Sequence, residues 1–446
     1  MQLSPFSVIA LAVASVAAAP LATASQQSEA AGFIEDSNLT LLNKNYLFYR
    51  DFRNDPDTQN YRREWAHALR ASFSSGYTRG WIGLGIDAHA ALAVKLDSVR
   101  GNGSAGTGIL PTGSDGQAPD DYSYAGAALK ARISNTELKI GDVIPTAPVF
   151  ATGTSRMLPG TARGIQLLSN EIEGLNLDAA HFTAIRDGSA STNRDGMITL
   201  SYGGAVDASS VDYLGGSYLV GGGLSAKLYG AKLDDVWNQY YANLNQVVPL
   251  SDSQALTFDF NLYETRDTGR ALAGNIDNTA WSLSAAYAFS AHKLTFVYQQ
   301  VDGDEPMDYI SMDGGNIGDS IWLGNSVQYS DFNGPNEKSY QLRYDLDMAN
   351  YGVPGLTLIA RYITGRDVDA SHYDGGPNGA YGWYSAGLDG QKGEHWERDL
   401  EANYVVQSGP AKDLSVRVRY ATHRANGFDS DVDELRVITQ YPLDIF

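Results

Sequence analysis

Hydrophobic and polar residues alternate strictly along residues 82–96, which read IGLGIDAHAALAVKL. Every even position carries Ile, Leu, Val or Ala, whereas the odd positions carry Gly, Ala, Asp, His or Lys. A period of two residues is typical of a β-strand with one apolar face. Strands of soluble proteins average about 5–6 residues, and a tilted strand that crosses a bilayer needs about 9–11. This segment is therefore predicted to be a membrane strand with one face toward lipid.

The same alternation returns further along the chain, in residues 256–263, 281–289, 293–299, 340–347 and 356–362. Short turns such as 290–292 and 350–355 alternate with long connections rich in Gly and Asp, such as 101–121 and 302–318. Tight turns at one end of the strands and long loops at the other are typical of a transmembrane β-barrel. Closure satisfies every backbone hydrogen bond in hydrocarbon, so we predict an all-β, antiparallel, up-and-down barrel.

The N-terminal segment 1–24 has an apolar run that ends in Ala22-Thr23-Ala24. This pattern predicts a signal peptide whose cleavage releases Ser25. No break in composition interrupts the rest of the chain, so residues 25–446 are predicted to form a single barrel domain. Past the N-terminus, no run of about 18 uncharged apolar residues occurs, which argues against a helical membrane protein.

Aromatic residues at strand ends are expected to form girdles at the two membrane interfaces. An ordinary core position is the alternative for each of them. The candidates are Tyr46, Trp81, Trp281, Tyr362, Tyr420 and Tyr441.

Composition narrows the possible functions of the 446-residue chain. Its 32 Lys and Arg against 52 Asp and Glu give a net charge of −20, which argues against nucleic acid as a partner. Cys is absent, so disulfides, thiolate metal sites and thiol nucleophiles are excluded. The seven His are scattered without metal-ligand spacing. We therefore expect neither a metal nor a cofactor.

Successive side chains of a strand point to opposite faces. The alternation that places apolar side chains against lipid therefore places many charged side chains in the lumen. Closing the barrel makes the last strand a neighbour of the first, so basic residues of both ends fall on contiguous strands. These residues are Lys44, Arg50, Arg70, Lys95, Arg132, Arg417, Arg419 and Arg436. Arginines that face water stay charged and bind carboxylates, so a basic strip of this kind favours a track for anionic groups. Local pairing with lumenal acids such as Asp87 and Glu434 is the alternative for each residue.

A barrel this large would leak unless loops folded into it. Residues 145–159 are too apolar and Pro-rich for a solvated outer loop, and residues 309–335 form a second candidate. Both segments are predicted to fold inward and to narrow the pore.

Four segments together resemble the OprD-type porins, the outer membrane carboxylate channels of pseudomonads. They are GFIEDSNLTLLNKNYLFYRDF, PTAPVFATGTSR, SVQYSDFNGP and VVQSGPAKDLSVRVR, with a terminal Phe446. The resemblance extends over the chain after the predicted signal peptide. It implies a monomeric barrel of about 18 strands in the Gram-negative outer membrane, in contact with lipid and lipopolysaccharide. It also implies an eyelet formed by two inward loops, with a basic ladder on one side and an acidic or polar surface opposite.

The segments that match the family indicate which residues of this chain occupy the family's functional positions. The resemblance implies a substrate track, the basic ladder, made of Arg50, Arg156, Arg417, Arg419 and Arg436. The eyelet residues opposite would be Tyr202, Tyr309, Ser326 and Asp331. Lys44 stands where the family pattern leads us to expect Arg, and the outer loop 425–433 is short. A Lys lacks the bidentate fork of Arg, so substrate preference within the family stays open.

The expected function is passive uptake of small carboxylate solutes. Amino acids or short peptides, basic or zwitterionic, are favoured, and one branch of the family passes carbapenem antibiotics. A channel for aromatic carboxylates such as benzoate is the alternative within the family. An outer-membrane hydrolase is a weaker rival, because the chain has no G-x-S-x-G or H-E-x-x-H motif. A sealed adhesive barrel is another, although it would not need an inward basic strip. We expect no catalytic residues.

Overall fold

The computed structural model describes residues 25–53, 60–99, 103–104, 106–113, 115–189, 194–195, 197–311 and 319–446. The predicted signal peptide, residues 1–24, lies outside the described residues and stays a prediction. So does the boundary of the barrel domain at residue 25.

Eighteen strands of the described residues form one antiparallel sheet. They are β1 (Asn38–Phe52), β2 (Tyr61–Ser74), β3 (Gly83–Ser98), β4 (Asp121–Ile133), β5 (Thr136–Val143), β6 (Thr161–Ser169), β7 (Leu175–Arg186), β8 (Val211–Gly221), β9 (Leu224–Leu233), β10 (Trp237–Ser251), β11 (Gln254–Asp267), β12 (Asp277–Phe289), β13 (His292–Asp302), β14 (Lys338–Asp347), β15 (Leu356–Val368), β16 (Gly393–Val405), β17 (Ser415–Ala425) and β18 (Val432–Asp444).

The sheet closes on itself. Each strand pairs with the next one in the chain, and β18 pairs with β1 from Thr40 opposite Asp444 to Phe52 opposite Val432. No strand of this sheet is left with a free edge, as hydrocarbon requires. The predicted closed, up-and-down antiparallel barrel is confirmed.

The connections differ sharply between the two ends of the barrel. At the end where β1 starts and β18 finishes, strands are joined by turns such as 134–135, 222–223 and 252–253. At the opposite end the connections include 144–160 and 303–337. Short turns lie on the periplasmic side of outer-membrane barrels, so the long connections are the outer loops.

The predicted parity holds along the wall. In β3, Leu84 and Leu92 are exposed on the outer surface, whereas Ala91 and Ala93 are buried inside. Trp81 is 77% exposed, as a girdle residue should be. The girdle prediction is wrong for Tyr46, which is fully buried, because its position in β1 faces the lumen, where its ring stacks on Phe48.

The core of the molecule lies inside the barrel. Val149, Phe150, Met157 and Leu158 of the loop 144–160 are buried, as is Phe332 of the loop 303–337. Phe150 packs on Phe182 of β7 with ring centres 5.6 Å apart. Both predicted segments therefore fold inward, because their apolar side chains leave water by packing against the inner wall.

The loops also carry short elements of their own. The described ones are the strands Gly103–Ser104, Thr146–Ala147, Phe150–Ala151, Arg194–Asp195, Met197–Leu200, Gly204–Asp207 and Ile310–Ser311, the 3-10 helix Met348–Tyr351 and the α-helix Gly382–Leu388. Met197–Leu200 pairs with both Gly204–Asp207 and Ile310–Ser311, which joins the loop 187–210 to the loop 303–337. No helix of the described chain is long and apolar enough to span a bilayer.

Candidate functional site

A cavity of about 350 Å³ lies where the two inward loops approach the wall formed by β17, β18 and β1. Side chains of opposite charge line it. Four arginines of the predicted ladder and three of the predicted eyelet residues are among them: Arg50, Arg156, Arg419, Arg436, Tyr309, Ser326 and Asp331. The structure thus brings together most of the candidate site, although these residues come from opposite ends of the sequence.

Strand register explains why the wall is basic at this level. Arg436 of β18 lies opposite Arg419 of β17 on one side and opposite Phe48 of β1 on the other. Residues directly opposite in an antiparallel pair point to the same face of the sheet. Arg50 lies two residues beyond Phe48, on the same face. Closure of the barrel therefore turns three arginines of distant sequence segments into neighbours.

Carboxylates of the strands compensate most of these arginines. Glu434 is fully buried, and its two oxygens accept from Arg50 Nε at 2.8 Å and from Arg436 Nε at 2.6 Å. Glu401 binds Arg417 through two hydrogen bonds of 2.7 and 2.8 Å, and its Oε2 lies 3.0 Å from Arg419 Nε as an ion pair. The local pairing that the sequence left open as an alternative is thus present at four ladder positions.

Arg417 differs from the other four ladder residues. Its side chain faces the lumen but is 43% exposed, and it does not line the cavity. It lies near the start of β17, closer to the periplasmic end than Arg419. A role for Arg417 would therefore fall below the constriction.

Arg156 is the ladder residue supplied by a loop, and its charge is not compensated in the same way. Among the described residues no carboxylate forms an ion pair with it, and its Nε has no hydrogen-bond partner. Burial and the neighbouring Arg436 lower the pKa of Arg156 to about 10, which still leaves the side chain charged at neutral pH. Arg156 is thus the one ladder arginine of the cavity lining that has no carboxylate in ion-pair contact among the described residues.

Lys44 holds Arg156 in place. Its buried ammonium group donates to the backbone carbonyl of Arg156, and it is absent from the cavity lining. Lys44 stands where the family pattern leads us to expect Arg. This replacement therefore changes how the loop is anchored, and it does not change a cation that faces the cavity.

Phe48 organises the basic side, a role that sequence reasoning missed. Guanidinium carbons lie 4.6 Å (Arg436), 5.3 Å (Arg50) and 5.3 Å (Arg156) from the centre of its ring. The face of an aromatic ring attracts cations, so one ring offsets part of the repulsion among three arginines. The YLFYR segment contained the residue, but the approach of β18 and of the loop could not be read from it.

The acidic side is centred on Asp331. Its Oδ1 accepts from Ser326 Oγ at 2.5 Å, and its Oδ2 accepts from the hydroxyls of Tyr202 at 2.8 Å and Tyr309 at 2.9 Å. All four predicted eyelet residues are therefore joined through one carboxylate. Burial raises the pKa of Asp331 above its ordinary value, and the three hydroxyl donors oppose that shift.

Asp308 anchors the two eyelet tyrosines and was also missed. Its carboxylate accepts from the backbone N–H groups of Tyr202, Gly203 and Tyr309, at 2.7 to 3.0 Å. Burial raises the pKa of Asp308 to about 7. No signal in the sequence distinguishes this residue from other loop aspartates, because two of its partners, Tyr202 and Gly203, come from a loop about a hundred residues away.

The segment Gln328–Tyr329 ties the acidic side to the basic one. The carbonyl of Gln328 accepts from Arg436 Nη2 at 2.8 Å, and its side chain donates to Glu434 at 3.2 Å. The Tyr329 ring lies 5.0 Å from the guanidinium carbon of Arg50. The two charged sides are thus fixed against each other, which sets the width of the passage.

A closed barrel with hydrophobic residues outward, short turns at one end and a charged constriction inside defines an outer-membrane porin. A family model described as outer membrane porin, OprD family, matches residues 31–445. The chain belongs to this family, whose members are channels and not enzymes, and its location is the Gram-negative outer membrane.

Individual relatives agree with this assignment. The chain is 50% identical over 453 residues to Porin D of Pseudomonas aeruginosa, with 100% of both chains covered. It superposes on the crystal structure of OprD from the same species with a TM-score of 0.81 at 48% identity, covering 96% of this chain and 100% of the other. The structure of OpdK from P. aeruginosa with vanillate gives a TM-score of 0.81 at 33% identity, covering 93% and 100%.

Proposed function

We propose that this porin passes small carboxylate solutes by passive diffusion, with basic and zwitterionic amino acids or short peptides preferred. The observation that carries the proposal is the cavity in which Arg50, Arg156, Arg419 and Arg436 face Asp331 across a space of about 350 Å³. A zwitterion carries opposite charges at its two ends, so a field between a basic and an acidic side orients it. The cavity is built from a single closed barrel, so a monomer is sufficient to form the channel we propose.

The carboxylate of the solute would follow the basic side. Arg156 offers a guanidinium that has no carboxylate ion-pair partner in the described part of the chain, and Arg436 and Arg419 continue the track along the wall. Arg binds carboxylates through a planar fork, which favours a defined orientation of the solute. The carboxylate of the solute would thus move from Arg156 on the loop to Arg436 and Arg419 on the wall.

The ammonium end, or a basic side chain, would meet Asp331. The hydroxyls of Tyr202, Tyr309 and Ser326 hold this carboxylate and present further oxygen atoms beside it. Solutes with an extra positive charge gain most from this contact, which is the reason for the preference for basic amino acids.

Compensation of the ladder keeps binding weak. A channel must release its solute as well as capture it, so a fully exposed row of arginines would trap anions. Glu434 and Glu401 neutralise four of the five ladder residues in part, and Arg156 remains as the point of capture.

The test is uptake into liposomes that contain the purified porin, with lysine, alanine, glutamate and benzoate as solutes at equal concentration. We expect lysine to enter fastest and glutamate to enter more slowly. Equal rates for all four would contradict selectivity, and a barrel that passes no current in planar bilayers would contradict a channel altogether.

Aromatic carboxylates are the second candidate, because OpdK, a relative of the same fold, has a structure with vanillate. The phenol rings of Tyr309 and Tyr329 line the cavity and offer faces on which an aromatic solute would stack. Benzoate uptake faster than lysine uptake in the same liposomes would favour this candidate over the first.

A further inference from the structure

Two buried histidines and an aspartate meet at the outer end of the lumen, beyond the cavity. His395 on β16 and His423 on β17 point to the same face, because His423 pairs with Glu397, two residues from His395. Asp429 lies in the loop that follows β17. One ligand atom from each of the three groups falls within 4.8 Å of the others.

The hydrogen-bond partners of the two rings fix where their protons are. His423 Nδ1 lies 2.8 Å from the carbonyl oxygen of Ser430, and a carbonyl only accepts, so Nδ1 carries the proton. His395 Nε2 lies 2.7 Å from Glu337 Oε1, so Nε2 carries the proton of that ring. The remaining nitrogens, His395 Nδ1 and His423 Nε2, lie 2.9 Å apart, and with these tautomers each keeps its lone pair.

Asp429 adds a negative oxygen to this pair. Its Oδ1 accepts from the Ser430 backbone N–H at 2.6 Å and from the Tyr329 hydroxyl at 3.3 Å. Its Oδ2 lies 3.8 Å from His423 Nε2. Two unprotonated nitrogens and a carboxylate oxygen within 4.8 Å of one another form a candidate site for a cation.

We propose that His395 Nδ1, His423 Nε2 and Asp429 Oδ2 bind a divalent transition-metal ion of the Zn²⁺ or Cu²⁺ class. Imidazole nitrogen with carboxylate oxygen is a ligand set that these ions accept, and water completes the coordination. Two nitrogens on a tetrahedral Zn²⁺ lie about 3.3 Å apart, given bond lengths of about 2.05 Å. The two rings therefore need to separate by only a few tenths of an ångström.

The outer shell of the site has the form that metal-binding histidines require. A ligand histidine usually donates its second N–H to a carboxylate or a carbonyl, which fixes its orientation. Here Glu337 and the Ser430 carbonyl fill these roles. Phe332 stacks on His395 with ring centres 4.2 Å apart, which further restricts that ring.

An ion can reach the site from outside. Asp429 and Ser430 line an outer cavity of about 510 Å³ with Phe52 and Trp383. Ion binding would fasten the loop 426–431 to the wall beside Tyr329, which borders the channel cavity. The site uses residues that the proposed transport function does not require, so the two proposals fail independently.

The first test is Zn²⁺ binding by the purified full-length porin in detergent after treatment with a chelator, measured by equilibrium dialysis. We expect one high-affinity equivalent. His395→Gln, His423→Gln and Asp429→Asn should each weaken it at least tenfold, and Glu337→Gln should weaken it roughly tenfold through the outer shell. The matched control is His181→Gln, because His181 pairs with Asp212 at 2.6 Å but lacks a third ligand.

The second test needs no variant. One equivalent of Cu²⁺ on the wild-type porin should give an electron paramagnetic resonance spectrum with coupling to two nitrogens. Heat-modifiable migration on gels checks that each variant is folded. The proposal is overturned if the wild type binds no Zn²⁺ at millimolar concentration, which would mean that a shared proton fills the gap, or if the double variant of His395 and His423 retains wild-type affinity.

Discussion

Buried charges are stabilised by different partners on the two sides of the cavity. On the basic side, strand carboxylates pair with strand arginines, and Glu434 alone holds both Arg50 and Arg436. On the acidic side, Asp331 has hydroxyl partners from three loop residues and no cation among its hydrogen bonds in the described structure. Ion pairing on the basic side reduces the net charge of the arginines, whereas the hydroxyl partners on the acidic side leave the negative charge of Asp331 unneutralised.

This difference indicates where selectivity resides. A paired charge projects a weaker field than an unpaired one, since the partner's field opposes it. Asp331 and Arg156 line the constriction without an ion-pair partner among the described residues, and both belong to inward loops. In the described structure, Asp319 is a third unpaired charge of the lining, and its carboxylate accepts hydrogen bonds from Thr154. The strands would then set the background field, and the loops would set the choice of solute.

The largest effect is expected from removing the unpaired anion. Asp331→Asn should lower lysine and arginine flux into liposomes by roughly tenfold, because the cationic group loses its carboxylate partner. Alanine flux should change much less. Asp413→Asn, at an exposed turn far from the cavity, is the control for a general change in charge. Wild-type lysine flux in Asp331→Asn would show that the acidic side does not select cations.

A smaller loss should follow from removing the unpaired cation. Arg156→Gln should lower the flux of glutamate and other carboxylates by about fivefold, because the point of capture is gone. Arg419→Gln removes the same charge from the cavity lining, but Glu401 already compensates Arg419, so the glutamate flux should fall by less than about twofold. Comparable losses in both variants would contradict the contrast between paired and unpaired arginines.

Removing a compensating carboxylate should act in the opposite direction. Glu434→Gln leaves Arg50 and Arg436 without their shared anion, so the basic side gains net positive charge. The ratio of anion to cation permeability, measured from reversal potentials in a KCl gradient, should rise about threefold. An unchanged ratio would mean that solvent, and not Glu434, screens these arginines.

The smallest expected effect is a dependence on pH. Because burial raises the pKa of Asp331, its negative charge is lost at a higher pH than that of an ordinary aspartate as the solution is acidified. The preference for lysine over alanine should therefore fall, by about twofold, as the solution is acidified from pH 7 and before the range of an ordinary aspartate is reached. Asp331→Asn is the matched control and should show no such fall; if it does, another group titrates.

The sequence predicted the wall more completely than the site. Alternation in residues 82–96 identified β3, and parity correctly assigned Arg419 and Arg436 to the lumen. The girdle prediction for Tyr46 went against that alternation, because Tyr46 shares its strand face with Lys44 and Arg50, and aromatic residues suit both interfaces and cores. The loop partners Asp308 and Gln328 carried no pattern at all, since their contacts depend on how two loops meet.

By itself, the sequence determined the class of fold and the two faces of the strictly alternating strands, because hydrocarbon on one side and water on the other force a period of two residues. Four matching segments also indicated the family. Only the tertiary structure decided which charges are cancelled and which are left over. Glu434 reaches Arg50 because the barrel closes, and Asp331 reaches Tyr202 because two loops fold into the same space. Such contacts join residues more than a hundred positions apart, so no local pattern can encode them.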